Sequence, residues 1–404
     1  MKNILIAIRS IFKKGRHNVM KIVSLGIGLA VGLVLIAKVY FEQSYDDFYP
    51  DRDRVYQVWA KYQQNGGELK DYPQTSGGIA PTMQQQIPEI ETVTRYTSFG
   101  DWTFTMTDTK MKYSGRCIIA DSCFFDILPR PMLIGNAKEV LSTPMYVLIS
   151  SRIAKNIGGD VIGKNFTVDS SPGRTMTIGG VFEEVPENSH SRYDVIVSMA
   201  SAGRFMWEGS PTNMLGNDRY ISYVKLHKGV NPLALEEQVH TFVNSYFPPE
   251  EQQKTGFNIG FSFHELDGLH KELPQVKRMT WILSLLAFAL IFTAVMNYIL
   301  IVISSIVNRS KEVAVHKCYG ASENNIHGMM FGEALVHIVL SLILALLLIL
   351  AFRGTVEELL ATSLDSLLLS NGSLVLLGIC ILVFFVSGFM PGSLYARIPV
   401  ASAF

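Results

Sequence analysis

The fold is decided by Trp281-Ile-Leu-Ser-Leu-Leu-Ala-Phe-Ala-Leu-Ile-Phe292, which stays mostly apolar to Val307 and then meets Asn308-Arg-Ser-Lys-Glu-Val-Ala-Val-His-Lys-Cys-Tyr-Gly-Ala-Ser322. As a helix, the apolar part would be roughly 40 Å long, whereas the hydrocarbon core of a bilayer is roughly 30 Å thick. The excess predicts a helix that crosses the membrane and projects beyond it. Such a helix would join a domain on one side to a charged short helix on the other.

The composition is that of a membrane protein with a polar domain. The 404 residues are 48% hydrophobic and 17% charged, and the net charge is zero. Soluble proteins carry about 25% charged residues, so charge is scarce. The zero net charge gives no sign of a nucleic-acid partner. Four cysteines are too few for a disulfide scaffold, although Cys117 and Cys123 could pair in an oxidising compartment.

Three further apolar runs and the distribution of basic residues define a topology. The first 21 residues hold six Lys and Arg and no acid, which places the N-terminus in the cytoplasm. The result is a membrane protein with four transmembrane α-helices and a large α+β extracytoplasmic domain inserted between the first and second. The predicted segments are a cytoplasmic surface helix with one apolar face (1–18), a first span (19–41), the extracytoplasmic α+β domain (42–278), a second span with its stalk (279–307), a cytoplasmic coupling segment (308–333), a third span (334–352), a short external loop (353–373), a fourth span (374–392) and a cytoplasmic tail (393–404).

One motif suggests nucleotide binding. Gly158-Gly-Asp-Val-Ile-Gly163-Lys164 matches seven positions of a phosphate-binding loop, but Asn165 stands where Ser or Thr would reach magnesium. The match also falls in the extracytoplasmic domain, where nucleotide is scarce. We therefore predict a turn between a helix (151–157) and a strand (166–169), with no ATP binding there.

A few polar or small residues inside the spans indicate contacts between helices. Gly28-Leu-Ala-Val-Gly32 is a GxxxG match, and Asn297 is an amide inside the second span, so both are candidate contacts with a second copy. His337 is an ionisable residue inside the third span. It is either functional or hydrogen-bonded to a neighbouring helix.

The pattern of the polar segment after Val307 predicts a short helix with defined ends. Glu312 and His316 lie one turn apart on it, Gly320 suits its C-terminal cap, and Ser322 can cap the helix that follows. On these grounds alone, the segment is equally a solvated loop or a docking surface.

The same segment resembles the cytoplasmic signature of FtsX-like permeases, the membrane subunits of MacB-type ABC transporters. Glu333, at the mouth of the third span, lies where that family commonly has an acid. Three other stretches resemble the family's extracytoplasmic domain and its last span: Ile162-Gly-Lys-Asn-Phe166, Gly180-Val-Phe-Glu-Glu-Val-Pro-Glu-Asn-Ser-His190 and Ser387-Gly-Phe-Met-Pro-Gly-Ser-Leu-Tyr395.

The resemblance implies a permease subunit without catalysis of its own, in the bacterial inner membrane with both termini cytoplasmic and the large domain periplasmic. A separate cytoplasmic ABC ATPase would bind the ATP, and this chain would bind no cofactor. The implied partners are that ATPase, a second copy or paralogue in a dimer, membrane lipid, and a periplasmic adaptor with an outer-membrane channel. The residues expected to couple to the ATPase are Arg309, Lys311, Glu312, His316, Lys317, Gly320, Ala321, Ser322 and Glu333.

Two departures from the family pattern and two other functions stay open. His316 stands where the family usually has Arg, and the sequence ends at Pro399-Val-Ala-Ser-Ala-Phe404, which resembles the midpoint of permeases that repeat this unit twice. The chain is then either a single unit that dimerises or one half of a longer permease. The alternative to export is a regulatory transducer that controls a cell-wall hydrolase or senses a ligand. A membrane-anchored enzyme has only the absence of catalytic motifs against it.

Overall fold

The computed structural model describes residues 18–304, 315, 319, 323–368, 375, 378, 379 and 382. The described chain divides into two compact units, the extracytoplasmic domain (Tyr45–Glu272) and a helical unit formed by the residues on either side of it. Nearly all of the predicted surface helix, half of the coupling segment and most of the fourth span lie outside the described residues.

In chain order the elements are α1 (Asn18–Gln43), β1 (Val55–Gln64), β2 (Lys70–Tyr72), α2 (Ile79–Gln86), β3 (Ile90–Met106), β4 (Lys112–Ala120), α3 (Phe124–Ile127), β5 (Met132–Ile134), α4 (Ala137–Ser142), β6 (Tyr146–Ser150), α5 (Ser151–Ile157), β7 (Asn165–Val168), β8 (Ser171–Phe182), β9 (Val195–Ser198), α6 (Ala202–Phe205), β10 (Ile221–Leu226), α7 (Glu236–Tyr246), α8 (Pro249–Thr255), β11 (Phe257–Glu265), α9 (Gly268–Lys271), α10 (Pro274–Ser304), α11 (Glu323–Ala351), α12 (Arg353–Leu360) and α13 (Leu364–Leu368).

Three of the described helices, α1, α10 and α11, are long and apolar enough to cross a membrane. Their register follows from the glycines of α1. A Cβ built on Gly28 would overlap the Cβ of Ala294, and one on Gly32 would overlap the side chain of Ile291. Because the residue numbers run in opposite directions, α1 is antiparallel to α10.

The third long helix runs the other way. Ser341 of α11 donates its hydroxyl to the carbonyl of Ile22 at 3.1 Å, and the side chain of Leu344 lies against Gly26. Therefore α1 and α11 are parallel. The alternating directions of α1, α10 and α11 are those that successive membrane crossings require.

Within the extracytoplasmic domain, eleven strands form one sheet in the order β11-β1-β10-β3-β4-β9-β6-β8-β5, with β2 beside β1 and β7 beside β3 and β8. The central strands are buried on both faces. All four residues of β9, Val195-Ile-Val-Ser198, are buried. Continuous apolar strands of this kind are typical of sheets covered on both sides.

The predicted helix and strand on either side of the phosphate-loop match are present as α5 and β7. Elsewhere in the domain, the Asn231 side chain accepts a hydrogen bond from the Leu233 amide as a helix cap. The loop between α5 and β7 is a structural turn. The amide of Gly163 donates to the carbonyl of Ile178 at 2.8 Å, so it is not free to bind phosphate.

Cys117 and Cys123, which could have paired in an oxidising compartment, are both free thiols. Burial raises the pKa of Cys117 well above its ordinary value. Lys38 lies near the end of α1, where a long charged side chain can extend to the membrane interface. In the structure its side chain is buried instead. Its ammonium lies 2.6 Å from Glu42 and donates to Thr362 at 2.8 Å, so it joins α1 to the residues between α12 and α13.

Candidate functional site

The polypeptide enters and leaves the extracytoplasmic domain at the same end of one pair of neighbouring strands. Strand β1 begins at Val55, shortly after α1, and β11 ends at Glu265, shortly before α10. The two strands are antiparallel neighbours, with Tyr56 opposite Glu265 and Gln64 opposite Phe257. An antiparallel pair places the start of one strand beside the end of the other. The two chain segments that continue into membrane-crossing helices therefore meet at this end.

Charged and aromatic side chains link these two segments, and we name this group the clasp. Lys271 lies 3.0 Å from Asp47 and 2.8 Å from Asp267. Arg52 lies 3.0 Å from Asp47 and 3.4 Å from Asp267, so two cations and two carboxylates alternate. The rings of Tyr45 and His270 stack with their centroids 3.4 Å apart. The clasp consists of Tyr45, Asp47, Arg52, Asp267, His270 and Lys271.

The ion pairs shift the titration of the clasp. Burial alone would raise the pKa of Asp267, but the hydrogen bond and charge of Lys271 hold it below its ordinary value. Burial likewise disfavours charged Lys271, yet Asp267 and Asp47 raise its pKa. Exposed ion pairs contribute about 0–1 kcal/mol each, so the clasp fixes the relative position of two segments more than it stabilises the domain.

A second, buried network anchors the incoming segment. The carboxylate of Asp46 accepts hydrogen bonds from the Ser189 hydroxyl at 2.8 Å and from Nδ1 of His190 at 2.6 Å. The other ring nitrogen of His190 bonds to the hydroxyl of Tyr223 on β10. Burial raises the pKa of Tyr223 well above its ordinary value, so its hydroxyl stays protonated. We name these four residues the anchor network.

The backbone of Asp46 is also unusual. Its φ is +59°, in the left-handed region that Asp tolerates better than most residues with a side chain. Its carboxylate is fully buried, and its amide donates to the carbonyl of Asn188 at 2.9 Å. Backbone and side chain therefore hold this residue in one conformation, three residues after the end of α1.

Most of the predicted ATPase-coupling residues cannot be placed, because Arg309, Lys311, Glu312, His316, Lys317, Gly320, Ala321 and Ser322 lie outside the described residues. Glu333 is described and is only 6% exposed on α11. One turn further along, His337 is buried, and its ring meets Tyr298 of α10 edge-on with centroids 6.2 Å apart. His337 thus packs at a helix contact, which was one of its two interpretations.

The residues predicted to contact a second copy have different surroundings. The close approach indicated by GxxxG exists, but the neighbour of Gly28 and Gly32 is α10 of the same chain. Asn297 lies on the exposed side of α10. A contact of these three residues with a second copy stays a prediction.

The clasp and the anchor network were not predicted from the sequence, although one signal was present. The stretch ending in Ser189 and His190 resembled the family, but its bonding partner was not identified. Asp46 is 144 residues away in the chain from His190. Metal binding has no obvious location, because among the described residues no group of three or more His, Cys, Asp or Glu side chains could hold an ion.

Comparisons with known proteins cover nearly the whole chain. Residues 20–242 match the model of the MacB-like periplasmic core domain, and residues 284–400 match that of the FtsX-like permease C-terminal domain. No curated protein matches the chain significantly.

Three solved structures are each similar to about half of this chain. A domain of a protein described as a permease, from Porphyromonas gingivalis, is 33% identical over 54% of this chain and 91% of its own length, with a TM-score of 0.49. The periplasmic region of MacB from Actinobacillus actinomycetemcomitans is 15% identical over 54% and 92%, with a TM-score of 0.35. The extracellular domain of the noncanonic ABC-type transporter YknZ from Gram-positive bacteria is 10% identical over 51% and 98%, with a TM-score of 0.36.

The model of the periplasmic core domain matches the part of the chain that contains most of the sheet domain, and the permease model matches the later part that contains α11 and most of α10. The first of them alone matches more than half of the 404 residues. The chain therefore belongs to the MacB/FtsX-like permease family.

Proposed function

We propose that this chain is the membrane subunit of an ABC-type exporter, and that it passes ATP-driven motion of a separate cytoplasmic ATPase to its extracytoplasmic domain. The chain itself would be neither an enzyme nor a nucleotide-binding protein. The observation that carries the proposal is that the first and last segments of the extracytoplasmic domain meet at one end of the β1–β11 strand pair, where the clasp links them.

The first step of the argument is the connection of each helix to the domain. Only a few residues separate α1 from the anchor network, and only Glu272 and Leu273 separate the clasp residue Lys271 from α10. Short connections transmit displacement better than long flexible ones, which absorb it. A displacement of α1 or α10 would therefore reach the same strand pair.

The second step concerns the stiffness of the receiving end. The carboxylate of Asp46 is buried and hydrogen-bonded to Ser189 and His190, far along the chain from it. A displaced α1 would pull on the interior of the domain through this residue, because a buried, satisfied polar network resists distortion. The domain would then move as one body.

The third step is the cytoplasmic contact. In this proposal the ATPase docks on Arg309, Lys311, Glu312 and Lys317, and closure of two ATPase subunits brings two permeases together. Glu333, buried on α11, would position the docking segment from inside the helical unit. Asn297, exposed on α10, is the residue that we assign to the contact between the two permeases, because amides favour helix association in lipid.

The docking contact is tested by reversing Lys311 and Glu312 together, as Lys311→Glu with Glu312→Lys. The co-purified ATPase should lose its coupled activity in nanodiscs while the permease still inserts into the membrane. The matched control reverses the exposed pair Lys254 and Glu251, whose charged atoms are 3.3 Å apart on α8. Full coupled activity in the first double variant would contradict the docking role.

Co-purification from native membranes tests export itself. A periplasmic adaptor and an outer-membrane channel are the expected partners besides the ATPase. Recovery of a peptidoglycan hydrolase instead, with neither adaptor nor channel, would favour a regulatory transducer and contradict the export proposal.

A further inference from the structure

The extracytoplasmic domain has an open cup of about 650 Å³ at the far end of the β1–β11 strand pair, away from the clasp. This volume lies within the range of small-molecule sites, about 300–1,000 Å³. The wall of the cup is mainly aromatic and aliphatic. Its apolar lining residues are Tyr62, Tyr72, Leu215, Phe247, Phe257 and Ile259.

Three of the rings surround one side of the cup. The ring of Tyr62 lies 5.6 Å from that of Tyr72 and 5.6 Å from that of Phe257, measured between centroids, and both pairs are tilted. Tyr72 belongs to the short edge strand β2 and is 43% exposed. Tilted neighbouring rings present several faces, and a ring face attracts positive charge.

A single carboxylate lines the cup. Asp218 lies in the loop before β10, where Gly216 has a φ of +76° that a residue with a side chain rarely adopts. The Tyr62 hydroxyl donates to one oxygen of Asp218 at 2.5 Å, and the Ser76 hydroxyl donates to the other. An ionised carboxylate has about four acceptor sites, so two donors leave it able to accept from a ligand.

The polar surroundings of Asp218 also favour a positive ligand. Burial first and the negative charge of Asp218 second raise the pKa of Tyr246. Within the described part of the chain, the buried Tyr246 hydroxyl has no hydrogen-bond partner. Among the lining residues there is no lysine or arginine, and Lys70 and Arg219, although near in sequence, are exposed.

We propose that this cup binds a small organic cation, an ammonium group carried on an apolar body. The ammonium would lie between the ring faces of Tyr62, Tyr72 and Phe257 and pair with Asp218, while the apolar body would cover Phe247 and Ile259. An anionic ligand would be repelled by Asp218, and a neutral one would gain neither the attraction of the ring faces for positive charge nor the ion pair with Asp218.

The cup lies on the same strand pair as the clasp. Tyr62 belongs to β1 and Phe257 to β11, so the ligand would touch the strand pair whose other end carries the clasp. The binding claim does not depend on ATPase coupling, because the cup is built entirely from residues of the extracytoplasmic domain.

The test titrates benzyltrimethylammonium chloride into the full chain in nanodiscs and follows binding by saturation-transfer NMR, with empty nanodiscs subtracted. We expect saturable binding, and none for the charge-reversed probe phenylmethanesulfonate. Asp218→Asn should weaken the affinity at least about tenfold and Tyr72→Ala at least about threefold, from loss of the ion pair and of one ring face. Asp169→Asn, at an exposed carboxylate that pairs with Lys112 at 2.6 Å, is the control and should not change the affinity.

The outcomes decide the proposal. Absence of saturable binding overturns it, as does equal affinity for the sulfonate or unchanged affinity in Asp218→Asn. If Asp218→Asn fails to fold, Tyr72→Ala decides, because this residue is at the exposed rim, and unchanged affinity there also overturns the proposal. Tyr62→Phe keeps the ring and frees one carboxylate oxygen, so it should bind within about threefold of the wild type.

Discussion

Replacing Asp46 by Asn probes how firmly the extracytoplasmic domain holds the segment that follows α1. Asn tolerates the left-handed backbone at this position and has nearly the same shape as Asp, so the change isolates the carboxylate charge. Its side-chain oxygen can still accept from Ser189. The charge-assisted hydrogen bond to His190, 2.6 Å long in the wild type, is lost.

The size of the effect follows from this geometry. A hydrogen bond to a charged group contributes about 1.5–3 kcal/mol, and full burial of Asp46 puts the expected loss near the middle of that range. For a domain of this size, each kcal/mol shifts the melting temperature by about 2–4 °C, so Asp46→Asn should lower it by about 4–8 °C.

The assay is thermal unfolding of the full chain in nanodiscs, with a double-mutant cycle using His190→Gln. The two changes should be non-additive by about 1 kcal/mol or more, because both remove the same bond. Asp53→Asn is the matched control, at an exposed carboxylate in the same segment, and should change stability by less than about 0.5 kcal/mol. A melting temperature within about 1 °C of wild type, or strict additivity with His190→Gln, would contradict the claim that the hydrogen bond between Asp46 and His190 holds this segment in place.

Two further predictions concern the helices and the clasp. Gly28→Ala should destabilise the packing of α1 on α10 by about 1–3 kcal/mol, because the added Cβ would overlap Ala294. In a thermal-unfolding assay, adding Ala294→Gly should restore much of the lost stability. No recovery would show that the clash is not the cause. The pKa of Asp267 is lowered in the folded state, so the stabilisation that this carboxylate gives is present at neutral pH and is lost as the pH falls below about 4. Lys271→Gln should therefore reduce the change of the melting temperature between about pH 5 and pH 2.5. An unchanged pH dependence would contradict the ion pair in the clasp.

Local features were predictable because they depend on neighbouring residues. The long apolar helices α1, α10 and α11 follow from uninterrupted apolar runs, and the turn at Gly163 follows from its glycines and from a phosphate-loop match without the magnesium ligand. The GxxxG pattern likewise predicted a close approach at Gly28. It could not identify α10 as the neighbour, because the pattern describes one helix surface only.

The structural features on which the proposed coupling depends are non-local. The sheet places β1, from the start of the domain sequence, between β10 and β11, which both come from its end. No local pattern specifies that pairing. The bond between Asp46 and His190 spans 144 residues, and that between Tyr62 and Asp218 spans 156. Such contacts follow from the complete topology, so the anchor network and the cup could not be found from the sequence.

The most direct test of the account measures whether ATP moves the extracytoplasmic domain through its short connection to α10. A spin label at the exposed residue Trp207 of each permease would report the distance between two domains in nanodiscs that also contain the co-purified ATPase. The account predicts that ATP changes this distance in the wild type, and that a three-residue Gly-Ser-Gly insertion between Glu272 and Leu273 abolishes the change, whereas the same insertion in the turn between Gly66 and Gly67 does not. An equal ATP-driven change with the insertion after Glu272, or no change in the wild type, would contradict it.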